Sequence, residues 1–170
     1  MKLYWNFIYY LIYKLNYKIH LIFKRINPVL LLYKTKHAKK RFKKRGISDP
    51  IKELDKYWKN PDIGLSEMYS SVWINMLCIL FFMGLIRLVN LTLHNNMHVP
   101  FNGQLIASVI LSLYTNYILL FRKKFYLICF KKFDKMNKTE HTTLFIKSVA
   151  IWLLFITIIV VSFFLTINFS

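Results

Sequence analysis

Three long apolar stretches dominate the pattern of hydrophobic and polar positions along the chain. They cover residues 72–93, 104–121 and 148–169, and Arg87 is the one charged residue among them. A helix needs about 20 mostly apolar residues to cross the hydrocarbon core of a bilayer. Runs of this length and polarity are typical of transmembrane helices. We therefore expect residues 70–170 to form a region of three transmembrane helices.

Residues 1–33 carry a different pattern. Over residues 3–26, apolar side chains recur every three or four positions, which is the spacing of one helix face. The residues of this face are Tyr4, Ile8, Leu11, Leu15, Ile19, Ile22 and Ile26. Lys14, Lys18 and Arg25 flank it, and basic and aromatic residues beside an apolar face predict an amphipathic helix that lies in the membrane interface. Packing of this helix on the protein's other helices is one alternative, and a fourth transmembrane span, made costly by the two central lysines, is another.

Polar residues 34–69 connect this helix to the spans. Within them, the sequence from Ser48 to Pro61 predicts one short helix, with Ser48 or Asp49 as its N-cap and Pro50 in its first turn. The predicted fold is thus all-α: an interfacial helix, a basic cytoplasmic segment with a short helix, and three spans.

Capping signals also mark the starts of two spans. Ser66 is a candidate N-cap for the first span. Asn137 and Glu140 have the spacing of a capping box, in which the side chains of the two residues pair with each other's backbone N–H groups. We therefore expect a helix to begin directly after Asn137 and to lead into the third span.

Charge gives the predicted orientation. The chain is 56% hydrophobic and yet has a net charge of +18, a combination that a soluble domain of this size rarely carries. Residues 1–69 hold sixteen Lys or Arg and residues 122–147 hold eight, whereas residues 94–103 hold none. Because Lys and Arg concentrate in cytoplasmic loops, we predict an inner-membrane protein. Its N terminus and a loop at residues 122–147 lie in the cytoplasm, and its C terminus lies outside.

The densest charge is the basic run, residues 34–45, in which eight side chains are basic and none is acidic. The basic residues are Lys34, Lys36, Lys39, Lys40, Arg41, Lys43, Lys44 and Arg45. Anionic lipid of the cytoplasmic leaflet is the predicted ligand, because each basic residue near that surface contributes about 1 kcal/mol. An acidic protein partner, nucleic acid, or a tail whose charge only fixes topology are alternatives. Nucleic-acid binding is disfavoured because Phe42 is the one aromatic residue in the run.

Polar residues inside the spans form a second candidate site: Arg87, Ser108, Ser112, Asn116 and Ser162. Ser108, Ser112 and Asn116 recur every four residues, so they form a helix face suited to close packing or, in an oligomer, to lining a pore. Counting about 1.5 Å of rise per residue along each helix places Arg87 at the same depth in the membrane as Ser108, Ser112 and Ser162. We predict that its guanidinium contacts their hydroxyls. Extension of the side chain to lipid phosphate is one alternative, and contact with a partner's carboxylate or with a pore lumen is another.

Candidate chemistry is sparse. His94 and His98 are four residues apart and could share a metal ion, but a third ligand is missing, so we predict neither a metal nor a cofactor. Cys78 and Cys129 lie in or beside apolar helices and do not indicate a disulfide framework. No nucleophile, base and acid combine into a catalytic set in the sequence.

These features predict a non-enzymatic membrane scaffold or accessory subunit, a class that includes immunity-type proteins. It would act by binding lipid together with a membrane or cytoplasmic protein partner, or a second copy of itself. A small oligomeric pore or membrane-disrupting effector is one alternative, and a membrane tether for nucleic acid is another.

Overall fold

The computed structural model describes residues 2–33, 35–92 and 100–169. The chain is 88% helical, and these described residues contain no β-strand. The all-α fold predicted from the sequence is therefore confirmed. Lys34, His94 and His98, which the sequence singled out, lie outside the described residues.

The chain divides into two compact units. The span unit comprises Met1–Tyr10 and Val72–Ser170, and the basic unit comprises Leu11–Ser71. Both boundaries fall within helices, since α1 covers Lys2–Ile26 and α5 covers Leu65–Thr92.

Three helical segments are long and apolar enough to cross a membrane: Leu65–Asn90, Phe101–Phe133 and Lys138–Leu165. They expose many large apolar side chains, among them Ile110 and Leu154. A soluble protein rarely exposes so much apolar surface. The three long apolar helices predicted from the sequence are therefore present, and their length and composition are consistent with a multi-pass membrane protein.

The first span begins earlier than residue 72. α5 starts at Leu65, and the backbone N–H of Met68 donates to the carbonyl of Gly64. This bond makes Gly64 the N-cap, so the prediction that Ser66 caps the helix was wrong. Ser66 instead lies buried within the first turn.

A loop was predicted from residue 122, and the structure has a kink there that leads into a further helix. α6 (Phe101–Asn116) continues through a π-helical turn at Tyr117–Phe121, the backbone is left-handed at Lys123 and Lys124, and α7 covers Phe125–Phe133. α7 buries four side chains, Tyr126, Cys129, Phe130 and Phe133. Burial of this largely aromatic face explains why a segment rich in lysine is helical.

The helix of the third span begins before the apolar run at residues 148–169, as the capping pattern predicted. α8 covers Lys138–Phe169, and the backbone N–H of His141 donates to the carbonyl of Asn137. The start directly after Asn137 is the one expected from the capping pattern. Four of the eight basic residues that were placed in a loop are therefore in α7 or α8, namely Lys131, Lys132, Lys138 and Lys147.

α1 is helical over Lys2–Ile26, close to the predicted residues 3–26. Its buried face in the span unit differs from the predicted apolar face: Trp5, Phe7, Tyr9 and Tyr10 are buried there. These rings contact aromatic side chains of α7 and α8, for example Phe7 on Phe133 at 5.1 Å between ring centres. Aromatic packing therefore fixes the start of α1.

The basic unit holds the rest of α1 together with α2 (Val29–Leu32), α3 (Lys36–Lys44) and α4 (Pro50–Lys59). α4 confirms the predicted short helix, with Pro50 as its first residue. Asp49 is its N-cap, and its carboxylate accepts the backbone N–H groups of Ile51 and Lys52 at 3.1 and 3.2 Å. Such a cap contributes about 1 kcal/mol to a helix.

Candidate lipid-binding surface and intramembrane polar network

The basic run is folded as α3. Thr35 caps the helix by accepting the backbone N–H of Ala38 at 3.4 Å, and Gly46 follows its end with φ +75°. Glycine adopts this left-handed conformation without the steric cost that other residues meet. Lysine and arginine are good helix formers, so local signals define this helix.

α3 contains no buried residue. Seven of the eight predicted basic residues are described, and all seven are exposed: Lys36, Lys39, Lys40, Arg41, Lys43, Lys44 and Arg45. The basic unit as a whole carries fifteen Lys or Arg against five Asp or Glu. Its electrostatic field therefore favours anionic partners.

The same unit exposes an apolar stripe on α1. Its residues are Leu15, Ile19, Ile22, Phe23 and Ile26, whose exposed fractions lie between 39% and 73%. Four of these five belong to the apolar face predicted from the sequence. The face exists as an exposed surface rather than as part of a protein core, which is the arrangement that a helix in a membrane interface would have.

On another side of α1, the polar side chain of His20 is buried. Its Nε2 lies 3.1 Å from a carboxylate oxygen of Asp55, and the other oxygen of Asp55 accepts from Lys24. The imidazole stacks on the indole of Trp58, with 4.4 Å between ring centres and 9° between planes. Trp58 in turn stacks on Tyr69.

The charge state of Asp55 follows from these contacts. Burial by itself raises the pKa of a carboxyl group, but the hydrogen bonds from Lys24 and His20 and their charge outweigh it. The pKa of Asp55 is therefore lowered from its ordinary value. A charged carboxylate can then hold both side chains in place at neutral pH.

A cavity of about 380 Å³ lies beside this cluster. Four of its lining residues are polar, and six are apolar or aromatic. In order, they are Asn16, Ile19, His20, Phe23, Lys24, Asn27, Leu30, Leu54, Trp58 and Tyr69. The polar and apolar parts of this lining suit a ligand that itself has a polar and an apolar part.

In the span unit, the predicted polar face of α6 packs inside the protein. Asn116 is 1% exposed, and its side-chain amide donates to Oδ1 of Asn75 on α5 at 2.9 Å. Its own Oδ1 accepts the indole N–H of Trp5 on α1 at 3.0 Å. One asparagine thus connects three helices by hydrogen bonds.

Ser112 extends this network, because its hydroxyl donates to the backbone carbonyl of Asn75 at 3.0 Å. Asn6 adds a further connection: its amide donates to the carbonyl of Leu119, within the π-helical turn, at 2.9 Å. A π turn changes which backbone carbonyls are available to side chains. The turn therefore supplies an acceptor for α1.

Arg87 is half-buried, and its guanidinium lies over two aromatic rings, 4.6 Å from the centre of Phe163 and 5.9 Å from that of Phe101. Both distances are within the range of cation–π attraction. The hydroxyls of Ser108 and Ser162 donate to backbone carbonyls of their own helices at 2.7 Å. Contact between Arg87 and the serines stays a prediction.

The described residues contain no group of three or more His, Cys, Asp or Glu that could hold a metal ion. The two cysteines, Cys78 and Cys129, are free and buried. The described chemistry of the site is therefore hydrogen bonding, charge and apolar contact.

Sequence reasoning missed Trp5, Asn6 and Asn75 in the span unit. The signal that could have found the two asparagines is their polarity, since each interrupts an aromatic or apolar run. It also missed the pairing of His20 with Asp55, which are 35 residues apart in the chain. No local pattern predicts a contact at that separation.

No family model matches this chain, and no curated protein or solved structure is significantly similar to it.

Proposed function

We propose that this chain is a non-enzymatic, multi-pass protein of the inner membrane that acts as a scaffold or accessory subunit, the class that includes immunity-type proteins. Its basic unit binds anionic lipid headgroups at the cytoplasmic surface and offers a surface to a membrane or cytoplasmic protein partner. The observation that carries this proposal is α3, whose six basic side chains are all exposed, as is Arg45 directly after the helix.

The exposure of α3 is informative because most helices in proteins are stabilised by packing an apolar face. α3 has no buried residue, so packing contributes little to it. An anionic bilayer surface contributes about 1 kcal/mol for each basic residue that approaches it. Six such residues on a short helix, followed by Arg45, would bind that surface firmly even after screening by salt.

The exposed apolar stripe of α1 supports the same proposal. Exposed Ile22 and Ile26 would lose contact with water if α1 lay in the headgroup region. Burial of apolar surface contributes roughly 25 cal/mol per Å². Charge on α3 and apolar surface on α1 are the two components that interfacial binding needs.

Two alternatives receive less support. A pore lined by the face of α6 would need Ser112 and Asn116 to face water, and both already have partners within one chain. A membrane tether for nucleic acid would need aromatic residues interleaved with the basic ones, and Phe42 is the one aromatic residue of α3.

The lipid proposal is tested with a spin label at position 38 in the full chain, reconstituted in bilayers of phosphatidylcholine with or without phosphatidylglycerol. We expect the label to lie closer to the bilayer when phosphatidylglycerol is present and to move away as salt is added. An equal depth in both bilayers would contradict the proposal.

A matched pair of charge variants provides the control. Replacing three lysines of α3 by Gln should release the label, whereas replacing three lysines of α4 should not, although both variants lose the same charge. The first set is Lys39, Lys40 and Lys43, and the second is Lys52, Lys56 and Lys59. Equal effects would indicate that net charge, and not α3, attracts the lipid.

A further inference from the structure

The polar side chains that line the cavity beside His20 are basic groups and amides. Its polar lining consists of Asn16, His20, Lys24 and Asn27. Among the described residues that line it there is no Asp or Glu. Asp55, which holds His20 and Lys24, is outside the lining. The charge that faces the cavity is therefore positive.

Lys24 and His20, which both contact Asp55, each have a further hydrogen-bonding position that a ligand could use. An ammonium group has three donors, and the contact of Lys24 with Asp55 uses one. His20 meets Asp55 through Nε2, so Nδ1 takes no part in that contact. Stacking on Trp58 fixes the plane of the ring. The remaining donors of the Lys24 ammonium suit a phosphate or a carboxylate, and Nδ1 of His20 donates to the same ligand when the imidazole carries both protons.

The rest of the lining is apolar or aromatic, which a small inorganic anion would not use. Ile19 and Phe23 line the cavity and also belong to the exposed stripe of α1. Leu30 forms part of the inner wall and is 8% exposed. A hydrocarbon chain could therefore pass from the stripe into the cavity without leaving apolar contact.

We propose that this cavity binds one anionic phospholipid molecule, with its phosphate at Lys24 and His20 and the start of one acyl chain beside Ile19, Phe23 and Leu30. The strongly basic unit around it favours an anionic over a zwitterionic headgroup. The inference rests on the proposed lipid-binding function and deepens it. It assigns a single defined site that is separate from the diffuse surface of α3.

The test uses the full chain in a neutral maltoside detergent and measures bound lipid by native mass spectrometry. The probe is dioctanoyl phosphatidylglycerol, compared with dioctanoyl phosphatidylcholine and with inorganic phosphate alone. We expect one phosphatidylglycerol per chain, bound at least about tenfold more tightly than either comparison ligand. Equal affinity for phosphatidylcholine would overturn the proposal, as would phosphate binding that matches the lipid.

Two variants locate the lipid in the cavity. Lys24→Met keeps the length of the side chain but removes its donors, so affinity for phosphatidylglycerol should fall by about tenfold. Leu30→Trp fills the inner wall and should abolish binding. Leu32→Trp is its matched control, because Leu32 is on the same helix, is 61% exposed and does not line the cavity. Binding by Leu30→Trp at the level of Leu32→Trp would refute the site.

The α3 variant at Lys39, Lys40 and Lys43 separates this inference from the proposed function. It should keep the single phosphatidylglycerol in detergent while losing its approach to anionic bilayers. Loss of the single lipid in this variant would place the binding on α3 and overturn the cavity site. A failure of the bilayer experiment with the single lipid retained would contradict only the role of α3.

Discussion

At the scale of single residues, polar side chains inside the spans do most to specify the packing. An apolar helix face slides against another at little cost in lipid, because lipid tails are as apolar as the side chains. Asn116 removes that freedom, since its amide fits only one position relative to Asn75 and Trp5. The hydrogen bonds therefore specify register as well as adding stability.

Replacing Asn116 by Leu should destabilise the span unit by about 1–2 kcal/mol, because the indole of Trp5 and the amide of Asn75 each lose a partner. Unfolding in mixed maltoside and dodecyl sulfate micelles measures the change. Tyr114→Leu is the control, since Tyr114 lies in the same helix and is 64% exposed. In the double variant with Asn75→Leu, the loss should be less than the sum of the single losses. Strict additivity would contradict the pairing.

Gly84 and Ser162 mark a close approach of α5 and α8. A Cβ placed on Gly84 would lie 2.8 Å from Oγ of Ser162 and 3.5 Å from the Cα of Ile159. Gly84→Ala should therefore destabilise the protein by about 1–2 kcal/mol through overpacking. Ser162→Ala removes the nearest atom, so the double variant should regain part of the loss, as measured in the same unfolding assay. A double variant no more stable than Gly84→Ala would contradict this contact.

The cluster at Asp55 predicts a pH dependence. The pKa of Asp55 is lower in the folded protein than its ordinary value. Its contribution to stability is therefore present above the ordinary carboxyl pKa of about 3.9 and is lost as the pH falls through the lower folded value. Asp55→Asn should reduce this loss of stability at acidic pH, as measured by the thermal unfolding temperature at a series of pH values.

At the scale of elements, the kink between α6 and α7 depends on tertiary packing that the sequence does not show. Lys123 and Lys124 have φ of 59° and 50°. Left-handed backbone costs an L-residue roughly 1–2 kcal/mol, and packing of α7 against α1 offsets this cost. The hydroxyl of Tyr10 donates to Asp134 at 2.7 Å, directly after α7. The aromatic contacts of Tyr10 with Phe130 and Phe133 lie beside this bond.

The strain at Lys123 can be measured by glycine substitution. Lys123→Gly should be neutral or stabilising by up to about 1 kcal/mol, because glycine adopts positive φ without a steric penalty. Lys131→Gly removes the same charge from the interior of α7 and should cost about 1 kcal/mol. If the two variants lose the same stability in the unfolding assay, Lys123 does not have a left-handed conformation.

The elements also show what the sequence could predict. The apolar runs at residues 72–93 and 148–169 indicate spans because a bilayer imposes a length and a polarity on any helix that crosses it. The cap of α4 at Asp49 was predictable for a similar reason, since it depends on neighbours in the chain. The helical state of residues 125–133 was not, because Phe130 and Phe133 are buried by residues of α1 that are more than a hundred positions away.

The same distinction applies to the candidate site. Composition alone identifies the basic residues of α3, and their exposure follows from their charge. The cavity depends on the pairing of His20 with Asp55 and its stacking on Trp58, both of them contacts between distant segments. The periodicity of α1 predicted the apolar stripe. It could not show which faces of α1 are covered by other residues. Tertiary contacts decide that question.

At the scale of the whole molecule, the basic residues are confined to two parts of the chain. Apart from Arg87, every Lys and Arg of the chain lies in residues 1–69 or 122–147. The helices that connect these segments are the ones long and apolar enough to cross a membrane. An odd number of crossings would place the two termini on opposite sides, and the basic segments would meet the same leaflet. The proposed lipid-binding function depends on that arrangement.

Cysteine labelling tests this topology. In a background with Cys78→Ala and Cys129→Ala, single cysteines are placed at positions 39, 96 and 170 and treated with a membrane-impermeant maleimide. We expect positions 96 and 170 to react in intact cells and position 39 to react only after permeabilisation, because Lys and Arg stay on the cytoplasmic side. The wild-type chain is the control, since its two buried thiols should react slowly. Labelling of position 39 in intact cells would place α3 outside, where the anionic cytoplasmic leaflet could not bind it.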